Sequence, residues 1–169
     1  IEWQLHTMVR PSEAAGARWD EIDWATKLWN IPAQRMKKKR PHSIPLSPRA
    51  LALLETIKPI SGGRNYIFPA DRDRNKHTHP QTANTALKRM GYAGILVSHG
   101  LRALASTTLN EQEFSADIIE AALAHIDSNE VRAAYNRADY LKQRRIMMEW
   151  WSNHIDQAAS GNLSITSGQ

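Results

Sequence analysis

The sequence predicts a mainly α-helical domain with a small antiparallel β-sheet near its N-terminus. Apolar residues recur at helical spacing through most of the chain. Ser, Pro and Gly stand where such helices should start and stop. Between Lys27 and Leu46 the pattern turns extended. The 169 residues suffice for one domain with a hydrophobic core. With 41% hydrophobic and 23% charged residues, the composition is that of an ordinary globular protein.

Ile1, Leu5 and Met8 share one face, so Ile1 to Val9 reads as a helix. Pro11 and Ser12 break it, and Ser12 to Arg18 reads as a short second helix. Asp20 to Trp24 reads as a turn, Lys27 to Pro32 as a strand and Gln34 to Arg40 as a basic turn. Pro41 to Leu46 is extended again. Pro41 and Pro45 cannot donate ladder hydrogen bonds, which makes this an edge strand. Ser47 caps and Pro48 opens the next helix, with Leu51, Leu54 and Ile57 on one face. Pro59 to Gly63 should end it. Tyr66 to Phe68 reads as a short strand or an extended buried stretch, and Asp71 to His79 as a polar turn. Thr82 to Met90 is a helix stopped by Gly91. Ser98, Ser115 and Ser128 should each cap a helix, the last of them carrying Tyr135. A final helix runs from Asp139 to Gln157. Residues 1–158 read as one domain and 159–169 as a disordered tail.

Cysteine is absent, which excludes disulfides, thiolate nucleophiles and cysteine-based zinc sites. No apolar run is long enough to span a bilayer. The first residues, with Glu2 and His6, do not resemble a signal peptide. A cytoplasmic location is expected. Lys and Arg number 22 against 17 acidic residues, a formal charge of +5, which points to an anionic partner such as nucleic acid. The chain starts inside a helix without an initiator Met, so an upstream domain is expected beyond it.

Four features carry chemistry. Arg10-Pro11-Ser12-Glu13 follows an apolar helix, where a partly buried Arg needs a partner and Glu13 is near. Arg35-Met36-Lys37-Lys38-Lys39-Arg40 is a dense basic run at a hairpin tip, suited equally to DNA contact and to plain solvation. His99 and Arg102 lie three apart at a helix start, where free amides and a positive helix end suit a phosphate. His125 follows an apolar helix, and Tyr135 lies ten residues on. Singly, the arginine–glutamate pair, the His99–Arg102 pair, His125 and Tyr135 fit an ion pair, a solvated face or packing better than chemistry, and only the basic run divides evenly.

Together and in this order they resemble the tyrosine recombinase family, in its prophage integrase branch. Arg10-Pro11-Ser12-Glu13 with Trp19 and Ile22-Asp23 resembles that family's first box. Arg35-Met36-Lys37 with Pro41-His42-Ser43-Ile44-Pro45-Leu46-Ser47 is similar to its lysine hairpin. His99-Gly100-Leu101-Arg102 resembles the second box, and Leu123-Ala124-His125 with Ala134-Tyr135-Asn136-Arg137 the last. The resemblance covers Ile1 to Trp151 and implies the tyrosine recombinase catalytic-domain fold.

The resemblance implies the following roles. Tyr135 attacks a DNA phosphodiester, giving a 3′-phosphotyrosyl link and a free 5′-hydroxyl without ATP, metal or other cofactor. Arg10 and Arg102 bind the non-bridging oxygens, and His99 and His125 donate further hydrogen bonds. Lys37 protonates the leaving oxygen, and Glu13 supports the arginine site. Arg35, Lys38, Lys39 and Arg40 contact DNA. Tyr140 is an alternative nucleophile without the surrounding Ala-Tyr-Asn-Arg wording. Lys38 and Lys39 are alternatives to Lys37. The implied partner is double-stranded DNA, bound by a homotetramer, with a monomer expected in its absence and no membrane association. Met147, Met148, Trp150 and Trp151 suit packing within the domain and docking on a neighbouring subunit equally well. His77 and His79 flank Thr78 in a polar loop, more consistent with solvent or DNA than with a metal. Rival readings are a type IB topoisomerase, a non-catalytic DNA-binding module of the same fold, and a metal-dependent nuclease.

Overall fold

Leu28–Ile31 alternates between the inside and the outside of the molecule, and its inward residues Trp29 and Ile31 are completely buried. It forms the middle strand of a three-stranded antiparallel sheet in a computed structural model that describes residues 1–125 and 140–161. The order is β1 (Ile22–Asp23), β2 (Leu28–Ile31), β3 (His42–Pro45). Trp29 pairs with Ile22 on one side and Ile44 on the other, and Ile31 pairs with His42. One face of the sheet is therefore apolar except for His42. β3 is an edge strand, as Pro41 and Pro45 require.

The helices are α1 (Glu2–Thr7), α2 (Pro11–Ala15), α3 (Pro48–Ser61), α4 (Thr82–Leu87), α5 (Gly100–Glu111), α6 (Ala116–Ala122) and α7 (Leu141–Ala159). Short as it is, α1 is the hub, packing against α2, α3, α5 and α7. Trp3 of α1 meets Trp29 of the sheet with ring centroids 4.9 Å apart. α7 closes the core with Met147, Met148 and Trp151, all buried within this chain. Its Trp151 Nε1 donates to Leu5 O at 2.8 Å, and Ser152 Oγ meets both His6 Nδ1 and Ser47 Oγ. Trp150 is half-buried against Phe114. None of the described helices is long and apolar enough to cross a membrane.

Some elements differ from the sequence expectation. Ile22–Asp23 is a strand inside the expected turn, because Ile22 belongs to the apolar face beside Trp29. α2 begins at Pro11 and stops at Ala15. Ser47 caps α3 as expected, its Oγ accepting from Ala50 N at 3.2 Å, but α3 continues through Pro59 to Ser61. Pro59 sits in the last turn, where it removes a single ladder bond. α4 ends at Leu87 and passes into a π-type turn over Lys88–Tyr92, with Gly91 at φ 93°. Tyr66 to Phe68 is the extended buried alternative, bridged to Arg18 and with Ile67 N bonded to Ala17 O at 2.9 Å. Ser98 does not cap α5: the N-cap is His99, and the Ser98 hydroxyl is buried. Ser115 stands at the N-cap of α6 without a side-chain cap bond. α7 starts two residues later than expected and runs two further. Ser128, and the helix expected to carry Tyr135, lie outside the described residues. So does most of the expected tail.

The basic turn is braced from inside. Ala33–Arg35 forms a 3-10 turn that aims Arg35 back at the body of the domain. Its guanidinium donates to Gly16 O, to Glu13 O at 2.8 Å and to Glu21 Oε2 at 3.2 Å. Glu21 also accepts from Trp29 Nε1 at 2.9 Å. Burial pushes the Glu21 carboxyl up from its ordinary value, while Trp29 and Arg35 act in the opposite direction. Removing Arg35 would leave the buried Glu21 carboxylate without its cation and two carbonyls without this donor. Arg35→Ala should lower the unfolding free energy by about 3 kcal/mol. Lys38→Ala, at an exposed position nearby, should change it by less than about 0.5 kcal/mol. Urea titrations of both variants check this.

Candidate active site

Arg102 sits one turn into α5 and is only 5% exposed. Its Nη1 donates to Met8 O and its Nη2 to Leu123 O at 2.6 Å. Met8 is the C-cap of α1, and Leu123 is the C-cap of α6. Carbonyls at helix C-termini lack helical partners and carry partial negative charge, so a guanidinium suits them. Burial pushes the Arg102 guanidinium down to about 10, with Arg10 adding to the effect and Glu13 and Glu120 opposing it. It remains a cation at neutral pH.

His125 completes this end of the site. Its Nδ1 lies 2.7 Å from Glu120 Oε2, and its Nε2 lies 3.2 Å from Arg102 Nη2. A carboxylate only accepts, so Nδ1 carries the proton. With Nδ1–H on Glu120, a neutral ring offers Arg102 the Nε2 lone pair, whereas a doubly protonated ring presents Nε2–H as a donor. Glu120 is one turn back on α6, which fixes the tautomer from within the same element.

Arg10 enters from the other side. It is the N-cap of α2, two residues after the carbonyl that Arg102 holds. Its Nη1 donates to Glu13 Oε1 at 3.1 Å, and its backbone N donates to Glu13 Oε2 at 2.9 Å. Glu13 is 2% exposed. One buried carboxylate thus caps the helix and orients the arginine.

The remaining candidates are placed as follows. His99 is exposed at the N-cap of α5, while Arg102 turns inward. Two first-turn amides are already used, Gly100 N by Val97 O and Arg102 N by His99 O. The helix start therefore offers fewer donors to a phosphate than its sequence promised. Lys37, Lys38, Lys39 and Arg40 are exposed around the hairpin loop, with Met36 buried beneath them. Lys39 Nζ donates to Gln34 O at 3.3 Å. Neither the Arg10–Glu13 hydrogen bond nor the Arg102–His125 contact reaches Lys37. Arg35 is engaged inside the fold and does not present its guanidinium with the loop lysines. Tyr140 is the half-buried N-cap of α7, at φ 48°. Tyr135 lies outside the described residues. His77 Nδ1 bonds Thr78 O at 2.7 Å, and His79 Nδ1 accepts from Gln81 N at 3.1 Å, so both serve their own loop. Among the described residues, no group of three His, Asp or Glu is placed to hold a metal ion.

Sequence reasoning missed Glu120 and His42. His42 is buried, with Nε2 3.1 Å from Ala122 O. The carbonyl only accepts, so His42 Nε2 donates to it. The signal was its register: His42 shares the inward face of β3 with Ile44. Burial pushes the ring down to about 3, helped by the charges of Arg144, Arg102 and Arg10. The unfolded ring binds a proton near pH 6.5 and the folded ring only near 3, so this residue makes stability fall as pH drops through that window. Between pH 7 and pH 4 its share should be about 3 kcal/mol. His42→Gln should show a correspondingly shallower loss of unfolding free energy between those two pH values, measured by urea titration.

The phage integrase family pattern matches residues 1–142 of the chain. Prophage integrase IntA of Escherichia coli (strain K12) is 59% identical over 97% of this chain and 40% of its own length. The integrase of Enterobacteria phage P4 is 39% identical over 98% of this chain and 41% of its own length. The chain thus spans about two fifths of these relatives. A solved structure, the integrase from mycobacterium phage Brujita, shares the fold with a TM-score of 0.64. It is 19% identical, and the match covers 88% of this chain and 50% of that one. With its matched residues running from α1 into α7, the chain belongs to the phage integrase family.

Proposed function

We propose that the chain is the catalytic part of a site-specific DNA recombinase of the tyrosine type, as in prophage and genomic-island integrases. The observation that carries this reading is the joining of Arg102, at the end of α1 that leads to Arg10, with His125 at the end of α6. Two permanent cations near one point suit a phosphodiester whose non-bridging oxygens gain charge in the transition state. Guanidinium donors fixed by carbonyls and carboxylates need little reorganisation as that charge develops.

In this mechanism the Tyr135 oxygen attacks the phosphorus as its hydroxyl proton is released to solvent, from which Lys37 is later reprotonated. The 3′-phosphotyrosyl bond forms as the bond to the 5′-oxygen breaks. Lys37 gives a proton to the departing oxygen, with Lys38 and Lys39 as the neighbouring alternatives. Arg10 and Arg102 hold the non-bridging oxygens, and His99 and His125 add hydrogen bonds. Glu13 keeps Arg10 in place. The phosphate ester energy stays in the protein–DNA link, so a second 5′-hydroxyl can reverse the step without ATP or metal. Lys38, Lys39 and Arg40 contact the duplex backbone beside the site.

The proposal places the protein on double-stranded DNA in the bacterial cytoplasm, as a homotetramer on paired attachment sites. Residues 1–158 form the catalytic domain, and domains outside this chain clamp the far face of the duplex. Binding by this part alone should weaken steeply with salt.

The test is covalent trapping in EDTA, with detergent quench and mass spectrometry of the modified peptide. The expected adduct is on Tyr135. Tyr135→Phe should abolish it and leave DNA affinity nearly unchanged, since only one hydroxyl is removed. An adduct on Tyr140, or equal loss of binding, would overturn the assignment. Strand exchange between two duplexes, as against relaxation alone, separates a recombinase from a topoisomerase.

Lys37→Ala should slow cleavage of an ordinary phosphodiester by about 100-fold or more. A substrate with sulfur at the 5′-bridging position has a leaving group that needs no acid, so the same variant should cleave it at nearly the wild-type rate. Equal slowing on both substrates would remove Lys37 from the role.

A further inference from the structure

β3 reaches both ends of the stretch that separates α6 from α7. His42 Nε2 donates to the carbonyl of Ala122, the last residue of α6, at 3.1 Å. One residue along, the carbonyl of Ser43 accepts from Arg144 Nη2, in the first turn of α7, at 2.7 Å. Both donors are buried, His42 at 9% and Arg144 at 3% exposure. Water cannot easily replace either bond once it is lost. The chain between these two anchors carries His125 and Tyr135.

We infer that His42 and Arg144 are positioning residues, which pin the two ends of the Tyr135-bearing stretch to one edge strand and so set its register against Arg10 and Arg102. This rests on the tyrosine mechanism proposed above. Three features of the geometry support it. The two anchors are consecutive residues of one rigid strand, so they fix a distance as well as a contact. Ala122 O, held by His42, directly precedes Leu123 O, held by Arg102. The end of α6 is therefore gripped from the sheet and from α5 at adjacent carbonyls. Finally, His42 Nε2 is occupied by a carbonyl, and the surrounding charges of Arg144, Arg102 and Arg10 all oppose a further proton on the ring. His42 is a neutral donor here and carries no proton to substrate.

The experiment compares His42→Leu, His42→Gln, Arg144→Met and Arg144→Lys in the full chain. Single-turnover adduct formation, DNA affinity, the pH–rate profile and amide hydrogen exchange are measured for each. His42→Leu and Arg144→Met should slow adduct formation by about 100-fold, the cost of a small misplacement of reacting groups. DNA affinity and the shape of the pH profile should stay as in wild type. Gln and Lys keep a donor at each position and should recover part of the rate. Exchange should rise in peptides from 116–125 and 141–148 but not in Pro48–Ser61. An unchanged rate, a displaced pH profile, or a rise in exchange spread evenly over the chain would overturn the inference. If wild type itself forms no adduct on Tyr135, it is the tyrosine mechanism that fails. The pinning then stands or falls on exchange at the two ends, and no local rise in any variant would refute it.

Discussion

A guanidinium taken out of water must be met by acceptors, and Arg102 is met by the final carbonyls of two helices. This one side chain decides where α1 ends, where α6 ends and how α5 lies between them. Met8 takes a left-handed conformation, φ 55°, at the C-cap of α1. Such a conformation is costly for a residue with a Cβ. Here it turns the chain out of α1 while its carbonyl stays on Arg102. Two residues later comes Arg10. The same contact that satisfies a buried charge thus delivers the second arginine, and at its other end it delivers His125.

Charge balance follows from that arrangement. Burial and the charge of Arg10 disfavour the charge of Arg102, and Glu13 and Glu120 offset this. The carboxylates do not neutralise the site by lying across it. Glu13 is bound to its own helix start, and Glu120 to the far nitrogen of His125. Each orients a cationic or polar group that the proposed mechanism brings to the phosphate. That is the form of electrostatic preorganisation in which charge stabilisation at the reacting centre costs little rearrangement.

Much of this was legible in the sequence, because local rules governed it. The Ser47–Pro48 helix start, the proline-marked edge strand and the inward residues of β2 all follow from capping chemistry and period-two burial. The differences arose where tertiary partners overruled local signals. Ser98 looks like an N-cap, yet its amide binds Asn84 Oδ1 and its carbonyl binds Gln4 Nε2, both from other helices. With its backbone held there, the helix starts one residue later. The basic run reads as uniform, yet the 3-10 turn at Ala33–Arg35 sends its first arginine inward and leaves the rest in solvent. Composition cannot distinguish residues that a turn separates. His42 and Glu120 were hidden because their partners are a backbone carbonyl and a side chain brought close only by the fold. No spacing rule along the chain marks either contact.

The β2–β3 hairpin joins two requirements that oppose each other. Its base must be rigid, since His42 and Ser43 hold backbone and side-chain groups of two helices. In the proposed mechanism its loop must let an ammonium group approach a leaving oxygen that the arginines do not touch. The sequence meets both within six residues. Met36 is buried and Arg35 is tied to Glu21, which anchors the near side of the loop. Lys37 to Arg40 stand in solvent, with sparse internal bonds. Trp29 and Ile44 then lock the strands below them face to face. A general acid on a long side chain suits this arrangement, because it need only arrive when the leaving group gains charge, whereas the groups that bind the phosphate must be in place beforehand. Placing an exposed loop on a rigid base makes the position of the proposed acid depend on the same sheet that holds the end of α6.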